Sequence, residues 1–245
     1  MNIAISNLAW NNEDLEENLD TLKQNDIHSI EIAYTKIKPW ASLSLNDIQK
    51  FKSICNKKNI TIPATQAIFY QSDISNFNEI NKTINHMETI TKLTKETDTK
   101  IIVIGAPELR KNNSKNNFIK SLTQIDKFLS NTKICIEPLR HGDYFKSIEE
   151  INNCIQEYNL INIRTMIDTN SLTNQQFDLI EQYEKYHNVI THIHFSNHNL
   201  NEIENFDQYK PFVKLIKQNY QHAITYELNK YKNFEITIKK FRELW

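Results

Sequence analysis

Glycine is nearly absent from this chain: only Gly105 and Gly142 occur in 245 residues. That excludes a glycine-rich phosphate loop after any strand, and with it the dinucleotide-binding sheet whose first turn depends on one. Each surviving glycine is expected either in an ordinary turn or where a backbone passes too close to something for a side chain to fit. Cysteine is equally scarce. Cys55, Cys135 and Cys154 are odd in number and widely spaced, with neither zinc-ribbon nor redox spacing, so they read as reduced core thiols. No apolar run approaches the ~20 residues needed to span a bilayer. The longest, Ile101 to Gly105, is strand-sized. The segment Met1 to Asp20 carries Glu13, Asp14, Glu16 and Glu17 where a signal peptide needs basic residues and an apolar core, so a soluble, cytoplasmic protein is expected. Nor is there an excess of one charge. Lys+Arg total 29 against 30 Asp+Glu, for a net charge of −1, which argues against a nucleic-acid binder and a membrane-surface protein.

What the chain does have is rhythm. Short β-branched runs fall at Ile3–Leu8, Ser29–Ala33, Ile62–Ala67, Ile101–Ile104, Lys133–Glu137, Arg164–Asp168, Val189–Phe195 and Ala223–Glu227. Between them lie segments of helical period. Leu15, Leu19 and Leu22 line one face, Phe118, Leu122, Ile125 and Leu129 another. Ile148, Ile151, Ile155 and Tyr158 line a third, and Phe234, Ile238, Phe241 and Trp245 a fourth. Ser44 with Asp47 reads as a helix start. Eight strands, each followed by a helix at ~31 residues per unit, predict one α/β domain over residues 1–245, a (β/α)8 TIM barrel. Pro63 fits poorly, because it removes a ladder hydrogen bond; the third strand is expected to start late or carry a bulge.

The chemistry gathers in the last four strands. Glu137, Asp168, His194 and Glu227 each stand at or near a strand's C-terminal end, spaced 31, 26 and 33 residues apart, one βα unit each. In a barrel those ends converge on one mouth. Alternation then turns Cys135, Met166, His192 and Thr225 inward and Ile136, Ile167, Ile193 and Tyr226 toward the helices. A one-residue slip would bury three carboxylates against the helix ring. Three carboxylates so close raise one another's pKa unless a cation sits between them. The donor set suits Mn²⁺ or Mg²⁺, with Co²⁺ or Zn²⁺ as alternatives. The plainer reading makes each acid a helix cap or loop hydrogen-bonder; it explains one such residue more easily than four on consecutive strands.

These residues carry a resemblance along the whole chain. The opening Ser-Asn-Leu-Ala-Trp10, then Ile-Glu31-Ile-Ala, Thr-Gln66-Ala, Ile-Gly105-Ala-Pro, Glu137-Pro, Ile-Asp168-Thr, His-Ile-His194 and Tyr-Glu227 resemble the xylose isomerase-like barrel superfamily, the sugar phosphate isomerases and epimerases. The resemblance implies one divalent metal on Glu137, Asp168, His194 and Glu227. It places the metal histidine at His194 because Phe-Ser-Asn follows it, leaving His192 to the core or to support of the metal ligands. It implies that Glu137 and Glu227 flank a sugar and exchange protons through an enediolate, giving isomerisation or epimerisation of a carbohydrate.

The chain also departs from the family pattern. Ser171 stands where many members have a histidine, and Leu200 where ketose 3-epimerases have an arginine. Gln66, Arg110, His141, Asp143, Ser171 and His198 are the candidate substrate contacts, each with a solvated loop residue as the plainer alternative. Three rival functions stay open. One is a non-catalytic barrel, and another is dehydration through an enolate. The third is the apurinic-site endonuclease branch, whose extra histidines are missing from Thr-Gln66-Ala-Ile and Ile-Gly105-Ala-Pro and whose Asp-x-His does not follow His194. A homodimer is left open.

Overall fold

The computed structural model describes residues 2–10, 12–111 and 114–245. Met1 and Asn11, within the N-terminal stretch read above, lie outside the described residues. Eight parallel strands close on themselves in sequence order, β1 pairing with both β2 and β8. They are β1 (Asn2–Ser6), β2 (Ser29–Ala33), β3 (Thr61–Gln66), β4 (Ile101–Ile104), β5 (Lys133–Ile136), β6 (Ile163–Asp168), β7 (Ile190–Phe195) and β8 (Ala223–Tyr226). Helices α1 (Leu15–Gln24), α2 (Leu45–Lys57) and α3 (Ile80–Thr97) follow the first three strands. The short α4 (Pro107–Arg110) and α5 (Lys115–Phe128) follow β4, and α6 (Ile148–Glu157) follows β5. The five-residue α7 (Thr169–Thr173) and α8 (Leu179–Tyr186) follow β6; α9 (Lys210–Asn219) and α10 (Phe234–Glu243) complete the ring. The chain is a (β/α)8 TIM barrel of one domain, and each predicted strand lies within two residues of an observed one.

Two cores account for the closure. Ile136, Ile167, Ile193 and Tyr226 face outward and are sealed under the helices with Phe118, Leu122, Ile125, Ile238 and Phe241. Burying each such side chain contributes roughly 1.5–3 kcal/mol. Inside the barrel lies a smaller apolar layer of Ala64, Ile101, Val103, Cys135, Met166 and Ala223. Cys135 and Met166 therefore point inward, as alternation requires. Tyr158, expected on the apolar face of α6, is 40% exposed instead, because the helix has already ended at Glu157. Ser44 caps α2 in a reciprocal box with Asp47.

Two irregularities shape the interior. Between Ser29↔Thr61 and Glu31↔Ala64 the pairing gains a residue on β3, so the strand bulges at Ile62–Pro63. A second extra residue lies on β7, between Thr165↔Ile190 and Met166↔His192. It lets the consecutive residues Thr191 and His192 both reach interior groups, Thr191 Oγ1 lying 3.0 Å from Cys135 Sγ. From His192 onward alternation resumes, with Ile193 and Phe195 outward and His194 inward.

Candidate metal centre at the barrel mouth

β6 and β7 place Asp168 directly beside His194, and β8 carries Glu227 onto the same side, its amide donating to the Phe195 carbonyl at 2.9 Å. Ligand atoms of Glu137, Asp168 and His194 all lie within 4.8 Å of one another. His194 Nδ1 is 3.3 Å from Glu227 Oε2. Glu137, Asp168 and His194 thus face one point, with Glu227 beside His194. Glu137 keeps part of its surface open to the mouth, while Asp168, His194 and Glu227 are buried.

The orientation of His194 is set from below. Its Nε2 lies 2.9 Å from Glu31 Oε2, and His192 Nε2 reaches the same oxygen at 3.1 Å. Burial works against the Glu31 charge, but the two imidazoles outweigh it and hold the carboxyl well below its usual range. An ionised carboxylate only accepts, so Nε2 carries the proton. When His194 is neutral, its lone pair is then at Nδ1, which is buried and has no hydrogen-bond partner among the described residues. Glu31, His192 and His194 also form a second trio of closely spaced ligand atoms, deeper in the barrel. Hydrogen bonding of both Nε2 atoms to one oxygen accounts for that convergence.

Asp168 is fixed from two sides. One oxygen accepts the Ser171 amide at 2.6 Å, capping α7, and the other accepts the Ser196 hydroxyl at 2.5 Å. Helix cap and metal-competent carboxylate are here the same residue. Glu137 is confined by Gly105, where an added Cβ would collide with Glu137 Oε2. Gly105 is thus a close approach, and its φ is not positive. Gly142 lies in the loop after β5, its amide donating to Leu139 at 3.2 Å.

Burial, and then Asp168 and Glu227, push Glu137 well above the usual carboxylate range. Burial and Glu227 do the same to Asp168. Two carboxylates whose charge is penalised, a third 3.3 Å from His194 Nδ1, and that nitrogen without a hydrogen bond among the described residues fit a divalent cation held by Glu137, Asp168, His194 and Glu227.

Around this point the mouth divides into two lobes that share Pro107, Glu137 and Leu200. The smaller, about 360 Å³, is lined by His141, Ser171 and His198 together with Asp168. The larger, about 910 Å³, takes in Gln66, Phe69, Tyr70 and Glu227. Gln66 Nε2 donates to Ser6 Oγ at 2.8 Å. Ser171 turns its hydroxyl onto the Pro138 carbonyl at 2.6 Å. Leu200 sits at the junction in a left-handed conformation, φ 52, its carbonyl accepting the Asn229 amide at 2.8 Å.

Two of the predicted contacts line neither lobe. Asp143 is exposed on the loop after β5, its amide donating to the Arg110 carbonyl. Arg110 is fully buried and turned away from the mouth. Its guanidinium donates to the carbonyls of Ile104 and Glu137, each at 2.9 Å, and of Phe145 at 3.4 Å. It clamps the ends of β4 and β5 rather than facing solvent. Sequence reasoning gave no role to Ser196 and none beyond a motif letter to Glu31; the serine two residues after His194 was the only local signal for the first.

Comparison with known proteins agrees with this architecture. No curated protein matches the chain by sequence. Among solved structures, it is similar to a 3-keto-D-glucoside 4-epimerase from E. coli, with a TM-score of 0.76, 16% identity and coverage of 99% of each chain. It is also similar to a D-allulose 3-epimerase from Methylomonas sp., with a TM-score of 0.79, 12% identity and coverage of 99% of this chain and 95% of the other. An AP endonuclease, family 2, from Brucella melitensis superposes with a TM-score of 0.79 at 13% identity, covering 99% of each chain. At such identities the likeness is one of fold. The family model described as Xylose isomerase-like TIM barrel matches residues 19–244, and the chain belongs to that family.

Proposed function

We propose that this protein is a divalent-metal-dependent isomerase or epimerase of a sugar or sugar phosphate, working by proton transfer through an enediolate. The observation that carries the reading is His194, whose Nδ1 faces Glu137, Asp168 and Glu227 while Glu31 holds the opposite nitrogen. Membership of the xylose isomerase-like family supports it, as do the two sugar epimerases among the structures of similar shape.

When bound, a cation such as Mn²⁺ or Mg²⁺ would polarise a substrate carbonyl and acidify the neighbouring C–H. The protein's own groups supply the rest. Glu137, at the end of β5, and Glu227, at the end of β8, both line the larger lobe, so one takes a proton from a sugar carbon while the other returns one. General acid–base work of this kind contributes ~10²–10⁴-fold. Asp168, held by Ser171 and Ser196, is an anchor and not a proton carrier, because both its oxygens are engaged. Gln66 in the larger lobe and Ser171 in the smaller one offer polar contacts to a substrate bound at the centre.

The test is metal analysis of the purified protein, paired with solvent-deuterium exchange into a panel of ketoses, aldoses and their phosphates. Stoichiometric metal with exchange at the carbon next to the carbonyl is expected. Purified protein that neither retains nor takes up a divalent cation, or metal-loaded protein that exchanges no sugar proton, would remove the proposal.

A further inference from the structure

The smaller lobe alone, at about 360 Å³, falls within the ~300–1,000 Å³ typical of small-molecule sites and abuts Glu137 and Asp168. The larger lobe, about 910 Å³, holds Gln66, Glu137 and Glu227 on its lining and lies near the top of that range, with room for more than one sugar ring beside the metal centre. Its outer wall is the loop after β3, where Ile68, Phe69 and Tyr70 follow one another. The loop is fixed. Ala67 and Gln71 bracket these residues in left-handed conformations, and the Trp40 indole N–H donates to the Tyr70 carbonyl at 2.8 Å. Phe69 is packed edge-on against Phe77, but Tyr70 is 62% exposed at the edge of the cavity. A large aromatic surface held open beside a reaction centre is characteristic of a binding wall.

Charge limits what the wall receives. Apart from Glu137 and Glu227, the charged groups lining this lobe are Lys36 and Glu108, one of each sign. Arg110, the nearby guanidinium, is committed to backbone carbonyls. The lobe therefore offers aromatic and apolar contact without the arginine fork that holds a phosphate or carboxylate. At the junction, Leu200 puts an apolar side chain between the lobes.

We propose that the larger lobe is a subsite for an uncharged second ring, stacked on Tyr70, so that the substrate is a glycosylated sugar and not a free monosaccharide. This rests on the reading that the metal centre handles a sugar. An apolar pyranose face laid on an aromatic ring gains contact area without needing a charge partner, which matches the lining.

Calorimetric binding to the Mn²⁺-loaded protein tests it, with D-fructose, fructose 6-phosphate and the glucosyl-fructoses leucrose, maltulose and isomaltulose as probes. At least one disaccharide is expected to bind roughly 10-fold more tightly than fructose. Tyr70→Ala should remove that advantage while leaving fructose affinity and metal content unchanged, and Tyr70→Trp should keep it. Equal affinity for fructose and all three disaccharides would overturn the proposal alone, as would an advantage that survives Tyr70→Ala. So would a gain for fructose 6-phosphate that Lys36→Ala abolishes, since the lobe would then grip an anion. Binding of none of these sugars would overturn both this proposal and the function it rests on.

Discussion

Glu31 Oε2 lies 2.9 Å from His194 Nε2, joining the second strand to the seventh across the barrel interior. That bond selects which nitrogen of His194 faces the three carboxylates at the mouth. Glu31→Gln would leave a neutral amide unable to hold the imidazole in this tautomer as firmly. Such supporting residues typically govern roughly 10–100-fold in metal affinity. Manganese titration of Glu31→Gln should show a loss of that order, with the circular dichroism of the barrel unchanged. Unaltered affinity would deny Glu31 its positioning role.

Gly105→Ala is predicted to displace the Glu137 carboxylate. The φ of Gly105 is not positive, so the substitution adds no backbone strain; what it adds is a methyl group where Glu137 Oε2 now lies. The expected outcome is weakened metal binding with little change in Tm. A crystal structure of the variant with Glu137 undisplaced would contradict this.

Glu137→Gln, Asp168→Asn and Glu227→Gln should each abolish turnover while the chain remains folded. Removing a carboxylate from the crowded site relieves repulsion in the metal-free protein, so metal-free stability should hold or rise. Thermal unfolding in chelator and deuterium exchange with metal check the two halves. Retained activity in any two of the variants would rule out the ligand assignment.

The metal-free protein should lose stability as pH rises. Burial and neighbouring carboxylates raise Glu137 and Asp168. Burial lowers His194, but Glu31 and Glu227 outweigh it and lift its pKa well above the ordinary value. A group with a raised folded pKa stabilises the fold below its unfolded pKa and loses that contribution as pH climbs through the folded one. Glu31 has the opposite sign, its contribution present above its ordinary 4.5 and lost only in acid. Asp168 loses its contribution between its ordinary 3.8 and about 6, Glu137 between 4.5 and about 8, and His194 from 6.5 upward, so Tm in chelator should fall between about pH 5 and about pH 8. Added Mn²⁺ should restore more stability at the higher pH, where it displaces fewer protons. A chelated Tm that rises across this interval would refute the assignment.

Arg110→Met should destabilise the fold by about 2–5 kcal/mol, because carbonyls of Ile104, Glu137 and Phe145 lose their shared donor. Denaturant unfolding measures it. A change confined to substrate affinity, with stability intact, would return Arg110 to the mouth.

Much of the barrel was legible in the chain because a strand buried on both faces favours a run of β-branched residues, and Ile101–Ile104 supplies one at every position. The one-βα-unit spacing of Glu137, Asp168, His194 and Glu227 was equally plain, since alternation ties each acid to an outward isoleucine or tyrosine before it. Arg110 was harder. An arginine after β4 looks like a loop contact until α4 turns it beneath Glu137. Tyr158 kept the helical period of α6 but fell beyond its last turn.

The sequence by itself determined the eight-strand alternation, the inward register of the last four strands and the acid, acid, imidazole, acid order at their ends, because these depend on local period. Only the tertiary structure decided that Glu31 and His194, 163 residues apart, share a hydrogen bond, that β7 bulges at Thr191, and that Gly105 makes room for Glu137. Those relations depend on how the closed sheet staggers its strands around the interior, and that stagger brings together residues whose positions along the chain carry no trace of it.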